Sequence, residues 1–196
     1  MQFNIPNCLT VFRVAAIPLI VMAYYSDLEY RHWVAGLLFA AAGVSDALDG
    51  FLARKWNQTS KMGAFLDPVA DKLLVSMTLL IVVSNPLIRQ DVLSPILFTL
   101  VVMIIISREI LVSALREWMA ELGKRSNVAV SSVGKYKTGF QMTAIGCLIF
   151  AKPLLGLPTL LIGELCLYVA GVLTIWSMTL YLHAAYRTVN STQELG

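Results

Sequence analysis

The sequence predicts an all-α protein: a six-transmembrane-helix bundle, one domain over residues 1–196, with N- and C-termini cytoplasmic. Three observations predict it. Hydrophobic residues make up 58% of the chain, charged residues only 14%, and the mean hydropathy is +0.73. A soluble domain is nearer half apolar and a quarter charged. Six apolar stretches recur, most close to the roughly 20 residues that span a hydrocarbon core. Finally, basic residues crowd into alternate connectors.

The first stretch covers about 9–25 and holds Arg13 and Pro18. No basic segment precedes it and no small-residue cleavage site follows, so it is expected to be a retained helix rather than a secretory signal. The next three run over about 33–53, 64–84 and 93–115. The fifth, 138–151, is short at its strictly apolar limits and is expected to extend towards Ser131; the sixth covers 157–182. Connectors at 26–32, 57–61, 85–92 and 152–157 are short, and one longer polar segment spans 117–137. Nothing marks an internal repeat or a second domain.

Orientation follows from the cations. Connectors on one side hold Arg31, Arg89 and Lys152. Those on the other hold Arg54, Lys55, Lys61, Lys124, Arg125, Lys135, Lys137 and Arg187. The richer set belongs in the cytoplasm, and an even number of spans puts both termini there. A net charge of +3 is too small to imply nucleic acid. Cys8, Cys147 and Cys166 have neither paired nor zinc-ligand spacing and read as reduced, structural thiols. Tyr24, Tyr25, Trp33, Trp56 and Tyr181 read as an aromatic belt, with His32 and His183 interfacial.

Against this background four carboxylates stand out. Residues 46–71 read D-x-x-D-G-x-x-A-R, then eight residues, then G-x-x-x-D-x-x-x-D. Ionisable groups at membrane depth are costly and usually functional. Asp46 and Asp49 share one helix face, as do Asp67 and Asp71. Asn57–Ser60 favours a turn. A hairpin folded there sets Asp46 opposite Asp71 and Asp49 opposite Asp67. Four such acids cannot all ionise together: either some stay protonated or divalent metal neutralises them. All-oxygen ligation suits Mg²⁺ or Mn²⁺, and a pair of ions about 3.5–4 Å apart suits phosphoryl displacement. Gly50 and Ala53 form a small-residue strip that permits close approach, as Gly63 does from the facing helix. Arg54, one turn from Gly50, suits bidentate phosphate binding. Solvated acidic faces and helix salt bridges explain the joint pattern less well, because the surroundings are apolar and nearby cations are few.

At these residues the chain resembles the CDP-alcohol phosphatidyltransferase family, whose signature D-x2-D-G-x2-A-R-x8-G-x3-D-x3-D it meets at every defined position. The resemblance implies a six-helix membrane enzyme, commonly a homodimer, with a dimetal site at the cytoplasmic interface of the bacterial inner membrane. It implies Asp46, Asp49, Asp67 and Asp71 as metal ligands, with Asp71 also the general base. Gly50, Ala53 and Arg54 would bind the CDP moiety of CDP-diacylglycerol, together with Asn7, Thr10 and Gly63. The run Asn4-Ile5-Pro6-Asn7 with Thr10 and Arg13, and the runs Ser107-Arg108-Glu109-Ile110, Ser113-Ala114-Leu115-Arg116-Glu117 and Gly134-Lys135-Tyr136-Lys137-Thr138, are similar to the family's bacterial members that use glycerol-3-phosphate.

A phosphate dianion needs a basic pocket. Arg108 follows an uncharged stretch from Pro95 to Ser107 and should face water or an anion rather than lipid. Arg116 lies about two turns along a similar face. Lys135 and Lys137 open the next span. These four are the expected acceptor-phosphate patch, although the lysines equally suit a cytoplasmic boundary, and Glu109 and Glu117 are placed to neutralise the arginines. The expected reaction is a metal-assisted in-line phosphatidyl transfer from CDP-diacylglycerol to glycerol-3-phosphate. Inositol phosphate, serine or phosphatidylglycerol as acceptor, or divalent-cation transport, are the competing readings.

Overall fold

The computed structural model describes residues 5–56, 61–121, 132–150, 153 and 156–193, without side chains for 5–7, 47, 49–56, 61–62, 64–65, 132–133, 135 and 187–193. Within them the chain is all-helical. The helices are α1 (Ile5–Tyr25), α2 (Arg31–Trp56), α3 (Lys61–Ser84), α4 (Pro86–Asp91), α5 (Pro95–Glu121), α6 (Ser132–Phe150) and α7 (Thr159–Gln193). Three of them, over Cys8–Tyr25, Pro95–Glu121 and Thr159–Tyr186, are long and apolar enough to cross a membrane. That makes this an integral membrane protein.

The six long helices correspond to the six apolar stretches of the sequence, with shifted ends. The fifth begins at Ser132 and the sixth continues to Gln193. The connector expected at 85–92 contains a further turn of helix, α4. Asn85 caps it by accepting from the Leu87 N–H at 2.9 Å, and Pro86 supplies a first-turn residue that needs no N–H partner. The same Asn85 donates to the Tyr24 hydroxyl at 2.6 Å, tying α4 to the end of α1.

Among the described residues, α3 packs on α1, α5 and α6, α2 packs on α1 and α6, and α7 packs on α5 and α6. The buried core of Ile20, Leu74, Leu79, Phe98, Ile105, Ile145, Leu148 and Leu167 fills the space between them. In lipid such a core is held by close packing rather than by escape from water, so small residues at helix contacts matter. Gly163 on α7 shows this: a Cβ there would meet Leu148 Cγ at 2.8 Å, Cys147 Cβ at 3.0 Å and the Ala144 carbonyl oxygen at 3.1 Å on α6. On the outside, Leu19, Met22, Ile96, Leu100, Met103, Val172 and Trp176 are exposed. Such apolar surface is an aggregation hazard in water but suits contact with acyl chains.

Three groups expected in the aromatic belt or at the membrane interface, Tyr24, His32 and Tyr181, are buried within the bundle. His32 is buried against Tyr24 in an edge-on contact with centroids 5.0 Å apart. Tyr181 is buried among the cations of α5. Glu164, also buried, receives the Leu93 N–H on both oxygens at 3.0 and 3.1 Å and the Tyr168 hydroxyl at 2.5 Å. Its carboxylate serves one backbone N–H just ahead of α5 and one hydroxyl of its own helix.

Candidate active site

The polar side chains gather towards the end of the bundle where α1, α3 and α6 begin and α2 and α5 finish. α1 supplies the first of them. Thr10 and Arg13 sit one turn apart and are both buried. Thr10 Oγ1 donates to Asp67 Oδ1 on α3 at 2.5 Å. Arg13 Nη1 donates to Asp46 Oδ1 on α2, while its Nη2 lies 3.7 Å from Asp67 Oδ1. A guanidinium only 1% exposed therefore reaches out to carboxylates that are 48% and 46% exposed. The counter-ion that seemed missing near the acids comes from a helix more than thirty residues upstream.

The hairpin register set Asp46 against Asp71 and Asp49 against Asp67. In the structure the described link between the two acidic helices is α1, through Arg13. The turn at 57–60 lies outside the described residues, though α2 ends at Trp56 and α3 resumes at Lys61. Pro68 lies inside α3 between Asp67 and Asp71 and removes one rung of the backbone ladder there.

Asp71, one turn beyond Asp67, opens on a second feature. A cavity of about 230 Å³ is lined by Asp71 and Lys72 from α3, Arg108, Glu109 and Arg116 from α5, Lys137, Thr138 and Gln141 from α6, and Tyr181 from α7. Three of the four basic residues expected to bind the acceptor phosphate thus share one cavity with the expected base. Lys135 belongs to α6, but its side chain lies outside the described residues.

The cations there are braced. Glu109 accepts from Lys137 Nζ and, at 3.3 Å, from Arg108 Nη1. Arg108 Nη2 also donates to Ser177 Oγ at 3.0 Å, and Arg116 Nη2 to the Tyr181 hydroxyl at 2.7 Å. The Tyr181 ring lies 5.6 Å from the Arg108 Cζ and 5.0 Å from that of Arg116, a spacing at which a π-face stabilises cations. Glu109 does neutralise Arg108, as its adjacency suggested, while Arg116 finds Tyr181 as its described partner. Nε of Arg108 and of Arg116 are buried with no hydrogen-bond partner.

Several expected residues are placed only by their helices. Asn7 lies in the first turn of α1, and Asp49, Gly50, Ala53 and Arg54 in the last two turns of α2, all with side chains outside the described set. Gly63 is buried near the start of α3. Among the described residues no group of three or more His, Cys, Asp or Glu comes together as a metal site. The donor chemistry nevertheless fits a hard divalent cation. Asp46 and Asp67 offer carboxylate oxygens, with about half of each side chain open to the outside. Asp49 is one turn from Asp46, and Asp71 one turn from Asp67.

Lys72, Ser177, Tyr181 and Gln141 escaped sequence reasoning as members of this site. Tyr181 sits in the last helix, where its type and position matched an interfacial aromatic. Gln141 is an uncharged residue in an apolar run and carried no signal, although it is one turn from Lys137 on α6.

The family model for CDP-alcohol phosphatidyltransferases matches residues 3–176. The chain is 48% identical over 186 residues to a Haemophilus influenzae protein named CDP-diacylglycerol–glycerol-3-phosphate 3-phosphatidyltransferase, covering 94% of this chain and 95% of the relative. Proteins of the same name from Pectobacterium atrosepticum and Escherichia coli K12 are 49% and 48% identical over 185 residues, covering 94% of this chain and 96% of each relative.

Proposed function

The chain belongs to the CDP-alcohol phosphatidyltransferase family, and on that premise we propose that it transfers the phosphatidyl group of CDP-diacylglycerol to glycerol-3-phosphate. The products are phosphatidylglycerophosphate and CMP. The observation that carries the acceptor assignment is the shared cavity. It is lined by a carboxylate, Asp71, and by the buried or half-buried cations Arg108, Arg116 and Lys137. An acceptor with a phosphate at one end and a hydroxyl at the other fits that polarity.

In this reading Arg108, Arg116, Lys137 and Lys135 hold the acceptor phosphate, and the bracing by Glu109, Ser177 and Tyr181 limits how far the cations move. Asp71 accepts the proton of the primary hydroxyl as that oxygen bonds to the phosphatidyl phosphorus. The bond from that phosphorus to the CMP oxygen breaks in the same in-line step, and no side chain becomes phosphorylated. Gly50 and Ala53 let the nucleotide approach α2, Arg54 takes a phosphate, and Asn7, Thr10 and Gly63 complete the CDP side. Asp46, Asp49, Asp67 and Asp71 would hold Mg²⁺ or Mn²⁺, two ions per site. Such ions supply neutralisation of the charge that grows on the departing CMP.

The membrane arrangement proposed is six spans. α2, α3 and α6 have 26, 24 and 19 residues, enough at 1.5 Å per residue to cross or nearly cross a hydrocarbon core of about 30 Å. The excess of Lys and Arg in alternate connectors then puts both termini and the site on the cytoplasmic face of the bacterial inner membrane. That is where a lipid donor and a water-soluble acceptor meet. A homodimer is proposed on the family resemblance.

The test is a product assay on purified protein in CDP-diacylglycerol micelles, with glycerol-3-phosphate, inositol phosphate or serine offered separately. CMP release with glycerol-3-phosphate, abolished by chelator and restored by Mg²⁺ or Mn²⁺, is the expected result. Release with only another alcohol would reassign the acceptor. No release with any acceptor from folded protein would favour cation transport.

A further inference from the structure

Gln141 is 3% exposed and lines the same cavity as Asp71, Arg108 and Lys137, and its Oε1 has no hydrogen-bond partner. Several neighbouring polar groups that line that cavity are engaged. Lys72 donates to Ser113 Oγ at 2.5 Å, Thr138 Oγ1 to the Gly134 carbonyl at 3.0 Å, Arg116 to Tyr181 and Lys137 to Glu109. An amide oxygen left buried and unpaired is costly, whereas a leucine or methionine would fill a similar volume at no such cost. Packing alone therefore does not account for a glutamine here. An unpaired acceptor oxygen on a residue that lines this cavity can take a hydrogen bond from a donor such as an alcohol O–H.

We infer that Gln141 determines specificity by accepting a hydrogen bond from a second hydroxyl of the acceptor, the one that does not react. The ligand class is a phosphorylated polyol carrying a free hydroxyl beside the reacting one. This rests on the proposed function and extends it. The cations take the phosphate, Asp71 takes the proton of the primary hydroxyl, and Gln141 reads the carbon between. Its place one helical turn from Lys137 sets it on the same face of α6 as a phosphate ligand. A site built around a substrate hydroxyl rejects the analogue lacking it, because its own buried group is then left unpaired.

The experiment compares glycerol-3-phosphate with 3-hydroxypropyl phosphate, which differs only in lacking the middle hydroxyl. Both are assayed by CMP release with the full chain in CDP-diacylglycerol micelles. The unaltered protein is expected to favour glycerol-3-phosphate in kcat/KM by about 10- to 100-fold. Gln141→Leu should bring that ratio to within about threefold of unity, by lowering kcat/KM for glycerol-3-phosphate and hardly changing that for the analogue. The ratio is measured within one preparation, so partial loss of folded protein cancels. Gln141→Met serves in the same way if the leucine variant does not fold. A ratio near one in the unaltered protein overturns the inference, as does a ratio that both variants retain. Turnover of glycerol-3-phosphate alongside either result leaves the proposed function standing, and no turnover in the unaltered protein removes both readings.

Discussion

The hydroxyl of Thr10 on α1 donates to Oδ1 of Asp67 on α3 at 2.5 Å, although 57 positions separate them in the chain. Arg13, one turn further along α1, spans from that same oxygen to Asp46 on α2. Side chains of α1 therefore bridge the two acidic helices. Without Arg13, Asp46 and Asp67 would face each other as like charges with no cation between them.

Arg13→Gln should lower the stability of metal-free protein by about 2 kcal/mol, less than for a fully buried pair because both carboxylates are half open to solvent. Thermal unfolding in detergent with EDTA measures it. An unchanged Tm would show that the acids need no internal counter-ion.

Asp71→Asn should cut kcat by about 10²- to 10⁴-fold, the usual contribution of a positioned general base. The amide keeps the shape of the carboxylate, so the melting temperature should move little. Substantial turnover in a folded variant would remove Asp71 from the role of base.

Arg108→Gln and Lys137→Gln should each raise the KM for glycerol-3-phosphate by about 10-fold or more, since each removes a charge-assisted hydrogen bond to a dianion. The KM for CDP-diacylglycerol should change by less than about threefold. Equal effects on both substrates would argue against a dedicated acceptor pocket along α5 and α6.

Two glycines separate a packing requirement from mere helix propensity. Gly163→Ala places a Cβ 3.1 Å from the Ala144 carbonyl oxygen and closer still to Leu148, so it should cost about 1–3 kcal/mol. Gly146→Ala meets nothing within 4 Å and replaces a poor helix former, so it should be neutral or stabilising by up to about 1 kcal/mol. Melting temperatures of the two variants in one detergent make the comparison. A destabilised Gly146→Ala would show that an outside partner packs on that face of α6.

Much of the architecture was legible from residue type and spacing. The six long helices and the short connector between α1 and α2 follow from runs of apolar residues and the polar residues between them. The common face of Arg108 and Arg116 followed from helical periodicity alone, and both line one cavity. α4 was less legible. It is a single capped turn whose stability comes from Asn85 and the contact of Asn85 with Tyr24, and periodicity does not register so short an element.

By itself the sequence determined that this protein lives in a membrane, where its charged residues interrupt the apolar runs, and which acids share a helix face. Those are properties of composition and of a 3.6-residue period, so they need no partner helix. Only the tertiary structure decided that Arg13 answers Asp46 and Asp67, that Tyr181 is buried against two arginines, and that Gln141, whose Oε1 is unpaired, lines the cavity. Each depends on which helix faces which, and at what depth. Packing between segments far apart in the chain sets that relationship, and no local pattern carries it.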